Sequence, residues 1–186
     1  MLTFSFENFE EVKRSFDPKV LQKALNTTIT RTATRAQTEV SRAIREVYNV
    51  KASTIAEVVT RNVRRTSEST VAVLQYRGGA LPVDRFASSV RTIRTPRGKR
   101  VAVSARVRKD RGRQVVRGAF PLRGREGPTM ERTGDDRLPI ERVFRLSVPQ
   151  MLNEQAGIVP RVQDFIERTA NIELNRNLRF FEARAR

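Results

Sequence analysis

Apolar positions recur every three to four residues over two long stretches of the chain, and every second residue over several short ones. The first long series, Leu21, Leu25, Ile29, Ala33, Ala36, Val40, Ile44 and Val47, keeps one side of an α-helix apolar. Asp17-Pro18 supplies an N-cap and a proline at the first helical position. The pattern therefore predicts one helix of about 30 residues, about 45 Å long at 1.5 Å per residue. It ends near Tyr48-Asn49, where Asn suits the left-handed position beyond a C-cap. Its opposite face carries Arg31, Arg35, Arg42 and Arg45, read as a solvated face. A short second helix follows, with Thr54 and Glu57 spaced as a capping box and Ile55, Val58 and Val59 supplying apolar contacts. Arg61, Arg64 and Arg65 then form a basic cluster before Ser67-Glu68-Ser69. Near the other end, Ser147 caps a short helix through Gln155 with Pro149 just inside it, and Gly157 interrupts. Pro160 opens a last helix whose stripe is Val162, Phe165, Ile166, Thr169, Ile172, Leu174, Leu178 and Phe181. Arg179, Arg184 and Arg186 sit at its C-terminus, where the helix dipole favours cations.

Period-two alternation marks the strands. Residues 1–16 begin with Leu2, Phe4, Phe6 and Phe9 in strand-like spacing and continue to Val12 and Phe16 in helical spacing. Thr70 to Tyr76 is β-branched and alternating. Ser88 to Phe120 reads as strand, turn, strand, turn, strand. The turns fall at Thr95-Pro96-Arg97-Gly98-Lys99 and at Lys109-Asp110-Arg111-Gly112. Between them Val101, Val103, Ala105 and Val107 alternate with Ala102, Ser104, Arg106 and Arg108. A loop rich in Gly, Pro and charge spans 121–139; within it Thr129 to Arg132 is a short strand turning at Gly134-Asp135-Asp136. Leu138 to Leu146 alternates again. The sum is a single α+β domain over 1–186, with a long N-terminal helix and a C-terminal helix packed on a mostly antiparallel sheet with extended loops.

Charge changes the picture. The chain has 37 Lys and Arg against 20 Asp and Glu, a formal net charge of +17. Eleven of those cations lie between Arg91 and Arg117, against the single acid Asp110. A one-sign block of this kind points to a polyanionic partner. The candidate contact residues are Arg91, Arg94, Arg97, Lys99, Arg100, Arg106, Arg108, Lys109, Arg111 and Arg113. No aromatic residue lies among them, whereas single-strand readers interleave stacking aromatics with their charges. Two partners stay open: a nucleic-acid backbone met without sequence readout, or acidic protein.

Catalytic chemistry has little to work with. The chain contains no Cys and no His, which removes disulfides, thiolate metal sites, cysteine nucleophiles and the commonest general base. No phosphate-cradling glycine motif is present. Glu131, Asp135, Asp136 and Glu141 could in principle share a divalent metal, but Gly134-Asp135-Asp136 has the composition of an exposed turn. The expectation is a protein that is not an enzyme and has no cofactor or metal. Neither a long apolar run nor a signal-peptide pattern appears, so no membrane association is expected.

The order of pieces is itself informative. A helix reading KALNTTITRTATRAQTEVSRAIREVYNVKASTI is followed by Gly-Gly-Ala-Leu-Pro-Val-Asp-Arg-Phe entering the basic sheet. Then come Gly118-Ala119-Phe120, a Gly-rich loop, and Arg137-Leu138-Pro139-Ile140 leading to Ser147-Val148-Pro149-Gln150-Met151. From Lys23 to the C-terminus this resembles the minor tail protein Z family of tailed bacteriophages and prophages, the tail completion proteins. The resemblance implies a structural virion protein at the head-proximal end of the tail. It also implies a homo-oligomeric neck ring, six copies matching a tail tube, placed between tail terminator or tube and head-side connector proteins. It carries no catalytic residues. Under it, residues 1–16 and 121–139 become candidate arms reaching neighbouring subunits, and the basic rim a lumen surface meeting packaged double-stranded DNA. The protein is then expected in the virion neck, and in the host cytoplasm during assembly. The alternative is a ribosome- or nucleoid-associated protein that binds nucleic-acid backbones.

Overall fold

The computed structural model describes residues 14–65, 70–95, 98–122, 127–154 and 157–185. Helix α1 runs Pro18–Val47, the 30 residues anticipated from its periodicity. Asp17 caps it: one carboxylate oxygen accepts the backbone N–H groups of Lys19 at 2.7 Å and Val20 at 3.3 Å. Helix α2 is Ala52–Ala56. Strands β1 (Val59–Arg65) and β2 (Thr70–Tyr76) follow, then a 3₁₀ turn at Val83–Arg85. Next come β3 (Ala87–Thr95), β4 (Gly98–Arg106), β5 (Gln114–Val116), β6 (Phe120–Pro121), β7 (Thr129–Arg132) and β8 (Ile140–Arg142). Helices α3 (Val148–Glu154) and α4 (Ile158–Ala183) close the chain. The class is α+β, and every strand pair is antiparallel. The strands are divided among three small sheets, β1-β2, β3-β4-β5 and β6-β7-β8.

Contacts divide the chain into two compact units, each assembled from separate stretches. One comprises residues 1–43, 59–76 and 153–186. Within it α1 and α4 pack antiparallel: Leu21 and Ala24 meet Leu174 and Leu178, with Phe16, Leu25 and Phe181 packed around them. A fully buried leucine contributes roughly 1.5–3 kcal/mol, and these hold one end of the helix pair. Further along, polar residues are buried on both helices alongside apolar ones such as Val40, Val162 and Ile166. Glu39, Thr28, Thr32, Thr169, Glu173 and Asn177 are all buried. Arg31 and Arg35 reach Glu173 at 3.4 and 2.9 Å, and Arg42 and Arg161 reach Glu39 at 3.3 and 2.9 Å. Three of the four arginines expected on a solvated face thus pair with buried carboxylates; Arg45 is exposed. A carboxylate without water needs such partners, so the helix pair demands them.

The other unit comprises residues 44–58 and 77–152. Its core joins Val103, Ala105 and Val116 of the three-stranded sheet to Val83, Ala119 and Val143. Gly118, at φ +74°, makes the turn between β5 and β6 in a conformation that side-chain-bearing residues avoid. Gly78 lies so close to Val58 that a Cβ would stand 2.9 Å from its side chain. Ser147 and Gln150 form a reciprocal cap at α3. The Ser147 N–H donates to Gln150 Oε1 at 2.8 Å, and the Gln150 N–H donates to Ser147 Oγ at 3.3 Å.

Several expectations are corrected. Arg61, Arg64 and Arg65, read as a basic cluster, lie in strand β1, and Val59, assigned to the second helix, opens it; β1 pairs with β2 from Val59–Tyr76 to Arg65–Thr70. Thr54 and Glu57 do not form a capping box. The helix begins earlier, after Lys51, so Thr54 lies inside it with its hydroxyl buried and unpartnered, and Glu57 accepts from Arg85. Asn49 serves as a clasp: its N–H donates to Val107 O and its side-chain amide to Arg106 O. The last helix begins at Ile158, leaving Pro160 in its first turn, where a missing N–H costs nothing. Ile172 and Val101, assigned to apolar faces, are 64% and 49% exposed. The alternation from Leu138 to Leu146 yields only the three-residue β8, with Val143 buried and Phe144 exposed. The 121–139 loop contains β7 and part of β6, which pair with each other. Residues 1–13 of the N-terminal arm, Ser67-Glu68-Ser69, Pro96-Arg97, residues 123–126 of the loop, Gln155 and Arg186 lie outside the described residues.

Candidate functional site

The basic candidates collect on one ribbon. Strands β3 and β4 pair from Ala87–Arg106 to Thr95–Gly98, bringing Arg91, Arg94, Lys99 and Arg100 to its outer half. By register Arg94 stands opposite Lys99, Arg91 opposite Ala102 and Ile93 opposite Arg100. Like charges opposite one another across an antiparallel pair oppose folding. Arg97 lies outside the described residues.

At the base of the ribbon two arginines build the 107–113 turn. Arg106 donates through Nε to Arg111 O at 3.1 Å and through Nη2 to Lys109 O. Arg108 grips Asp110 with two hydrogen bonds, 2.9 and 2.7 Å, and its guanidinium lies 5.9 Å from the ring centre of the buried Tyr48. That geometry combines a fork-to-carboxylate pair with a cation–π contact. The Arg108 hydrogen bond holds the Asp110 carboxyl below its usual range, against an opposing contribution from desolvation. Lys109 and Arg111 are exposed on the same turn. Arg113 donates to Ser89 Oγ at 2.7 Å, and Ser89 and Ser104 share a hydrogen bond of 2.9 Å.

Five of the ten candidates therefore separate by role. Arg106 and Arg108 shape the turn, Arg113 ties it to β3, and Lys109 and Arg111 present charge to solvent. No signal in the local pattern distinguishes these roles, because the acceptors Lys109 O and Asp110 are set by the fold of the turn. Asp135 and Asp136 are exposed in the 133–137 bend, and Glu131 stands opposite Glu141 by register. Among the described residues no group of three or more Asp, Glu, His or Cys is placed to hold a metal ion. No described helix is long and apolar enough to cross a membrane.

Compared with protein-family models, with curated proteins and with solved structures, the chain finds no significant match in any of the three.

Proposed function

We propose that this protein is a structural, non-catalytic component of a tailed bacteriophage particle, completing the head-proximal end of the tail. On this reading several copies, six by the symmetry of a tail tube, form a neck ring. The ring meets the tail terminator or tube on one side and the head-side connector on the other, and the basic ribbon faces the packaged DNA. The protein resides in the virion neck, after assembly in the host cytoplasm.

The observation that carries the reading is the resemblance, in the order of its segments, to the minor tail protein Z family. Those segments sit at element boundaries here. Tyr48-Asn49 closes α1, Gly78 to Phe86 joins β2 to β3, Gly118-Ala119-Phe120 turns β5 into β6, and Ser147 to Met151 opens α3. Exposed apolar side chains support a subunit contact. Val115 on the edge strand β5, Leu138 and Phe144 are each at least half exposed, and a ring would cover such positions.

Labelling particles from the source lysate with a specific antibody, viewed by electron microscopy, tests the reading. Label confined to the head–tail junction is the expected result. Absence from particles, with the protein sedimenting with ribosomes or bulk nucleic acid, overturns it in favour of a backbone-binding role.

A further inference from the structure

A second basic surface lies on the two long helices, in the unit that does not contain the β3–β4 ribbon. An open groove of about 430 Å³ runs along α1, lined by Lys23, Asn26, Thr27, Thr30, Arg31 and Phe181. It continues into a second depression of about 350 Å³, which shares Thr30 and Arg31 and adds Thr34, Arg35 and Arg176. From Lys23 to Arg35 the floor is about 18 Å long at 1.5 Å per residue. Arg61 of β1 donates to Thr34 Oγ1 at its far end. Five cations thus border this surface, and among the described residues no acidic side chain lines it.

Two features make the surface a built one. Arg31 and Arg35 share the single buried carboxylate of Glu173 while each remains about half exposed. The carboxylate positions both guanidiniums and neutralises only one of them, so the group keeps a formal +4 (five cations less Glu173). The threonine hydroxyl protons are already spent. Thr27, Thr30 and Thr34 donate to the carbonyls of Lys23, Asn26 and Thr30 at 2.9, 2.8 and 3.0 Å. They shape the floor and offer no further proton to a base or sugar. What remains for a ligand is a row of fixed positive charges, suited to a line of anions of the kind a phosphate backbone presents. Among the described residues the one aromatic that lines it, Phe181, is partly buried and packed edge-on against Phe180 at 5.2 Å between ring centres. Among those residues the lining offers no stacking platform for unpaired bases, which favours a duplex.

We infer that the α1–α4 groove, bordered by Lys23, Arg31, Arg35, Arg61 and Arg176, binds the phosphodiester backbone of a nucleic-acid duplex without reading sequence. This inference stands independently of the neck-ring reading, because it concerns a different surface and a property of the isolated protein.

The test measures binding of the full chain to a short fluorescent duplex DNA across a salt series. Lys23→Gln with Arg176→Gln removes two groove cations that are exposed, so folding, checked by circular dichroism and urea unfolding, stays intact. Arg45→Gln with Arg168→Gln removes the same charge from exposed helix positions outside the groove. The groove pair is expected to weaken binding about tenfold and to lower the log–log salt slope by about 2, close to one per lost phosphate contact. The control pair should change affinity less than about twofold. Equal effects of the two pairs, or no duplex binding by the parent protein, overturn the inference. Equal competition by polyglutamate of matched charge also overturns it, assigning the groove to acidic polypeptide. Equal competition by single-stranded DNA overturns the duplex assignment.

Discussion

Arg35 on α1 holds the carboxylate of Glu173 on α4 at 2.9 Å, and Glu173 is 1% exposed while Arg35 is half exposed. The pair makes a polar seam in a helix interface that is otherwise apolar at its Leu21–Leu178 end. A buried charge is tolerated only with partners, and removing them leaves desolvation uncompensated. Arg31→Ala alone should cost about 1 kcal/mol, because Arg35 remains. Arg31→Ala with Arg35→Ala should cost about 3 kcal/mol. Urea midpoints for both single variants and the double variant measure the coupling, and additive losses would show that the two arginines do not share Glu173.

Thr32 presents the opposite case. Its hydroxyl is buried on α1 with no hydrogen-bond partner, a group whose desolvation is unreturned. Thr32→Val keeps the shape and removes the hydroxyl, and should stabilise the protein by about 1 kcal/mol. A lowered urea midpoint would mean that the hydroxyl has a partner in solution.

The cap at α3 depends on both Ser147 and Gln150. Gln150→Ala should cost about 1 kcal/mol, and Ser147→Ala a similar amount. Because the two residues act as one unit, the double variant should cost less than the sum. Thermal unfolding of the four proteins checks this.

Burial raises the pKa of Tyr76 from 10.0 to about 12. A folded-state value above the unfolded one means that the unfolded chain ionises first as pH rises. The stability present below pH 10 is then lost progressively up to about pH 12. Tyr76→Phe should abolish that part of the alkaline loss. Stability measured by urea unfolding at increasing pH gives the comparison, and identical profiles would show that Tyr76 is not the group responsible.

The β3–β4 ribbon carries the proposal for the neck. Reversing Arg94, Lys99, Arg100 and Arg111 to Glu should leave the subunit folded, as circular dichroism checks. Particles made with this variant should have misplaced DNA or unjoined tails. Normal infectious particles would remove the ribbon from the lumen.

Local pattern was enough for the elements whose cause is local. Asp17-Pro18 starts α1, the alternation from Thr70 to Tyr76 makes β2, and Ser147 with Gln150 caps α3, each within a few residues of its own signal. The strand-turn-strand pattern of the basic ribbon was legible for the same reason, since two adjacent strands joined by a short turn need no distant partner. The accumulation of positive charge there was visible directly in composition.

Only the tertiary structure decided which charges are free and which are committed. Arg61, Arg64 and Arg65 look like a basic cluster after a short helix until β2 provides a ladder for Val59 to Arg65. Glu173 looks like one more charge on an amphipathic helix until Arg31, 142 positions away, and Arg35 neutralise it. Arg106 and Arg108 look like partners for a polyanion until the turn offers them Lys109 O and Asp110. The physical reason is common to all three. Helix and strand periodicity is a property of neighbours in the chain, whereas the desolvation that makes a charged residue structural depends on groups brought together by folding.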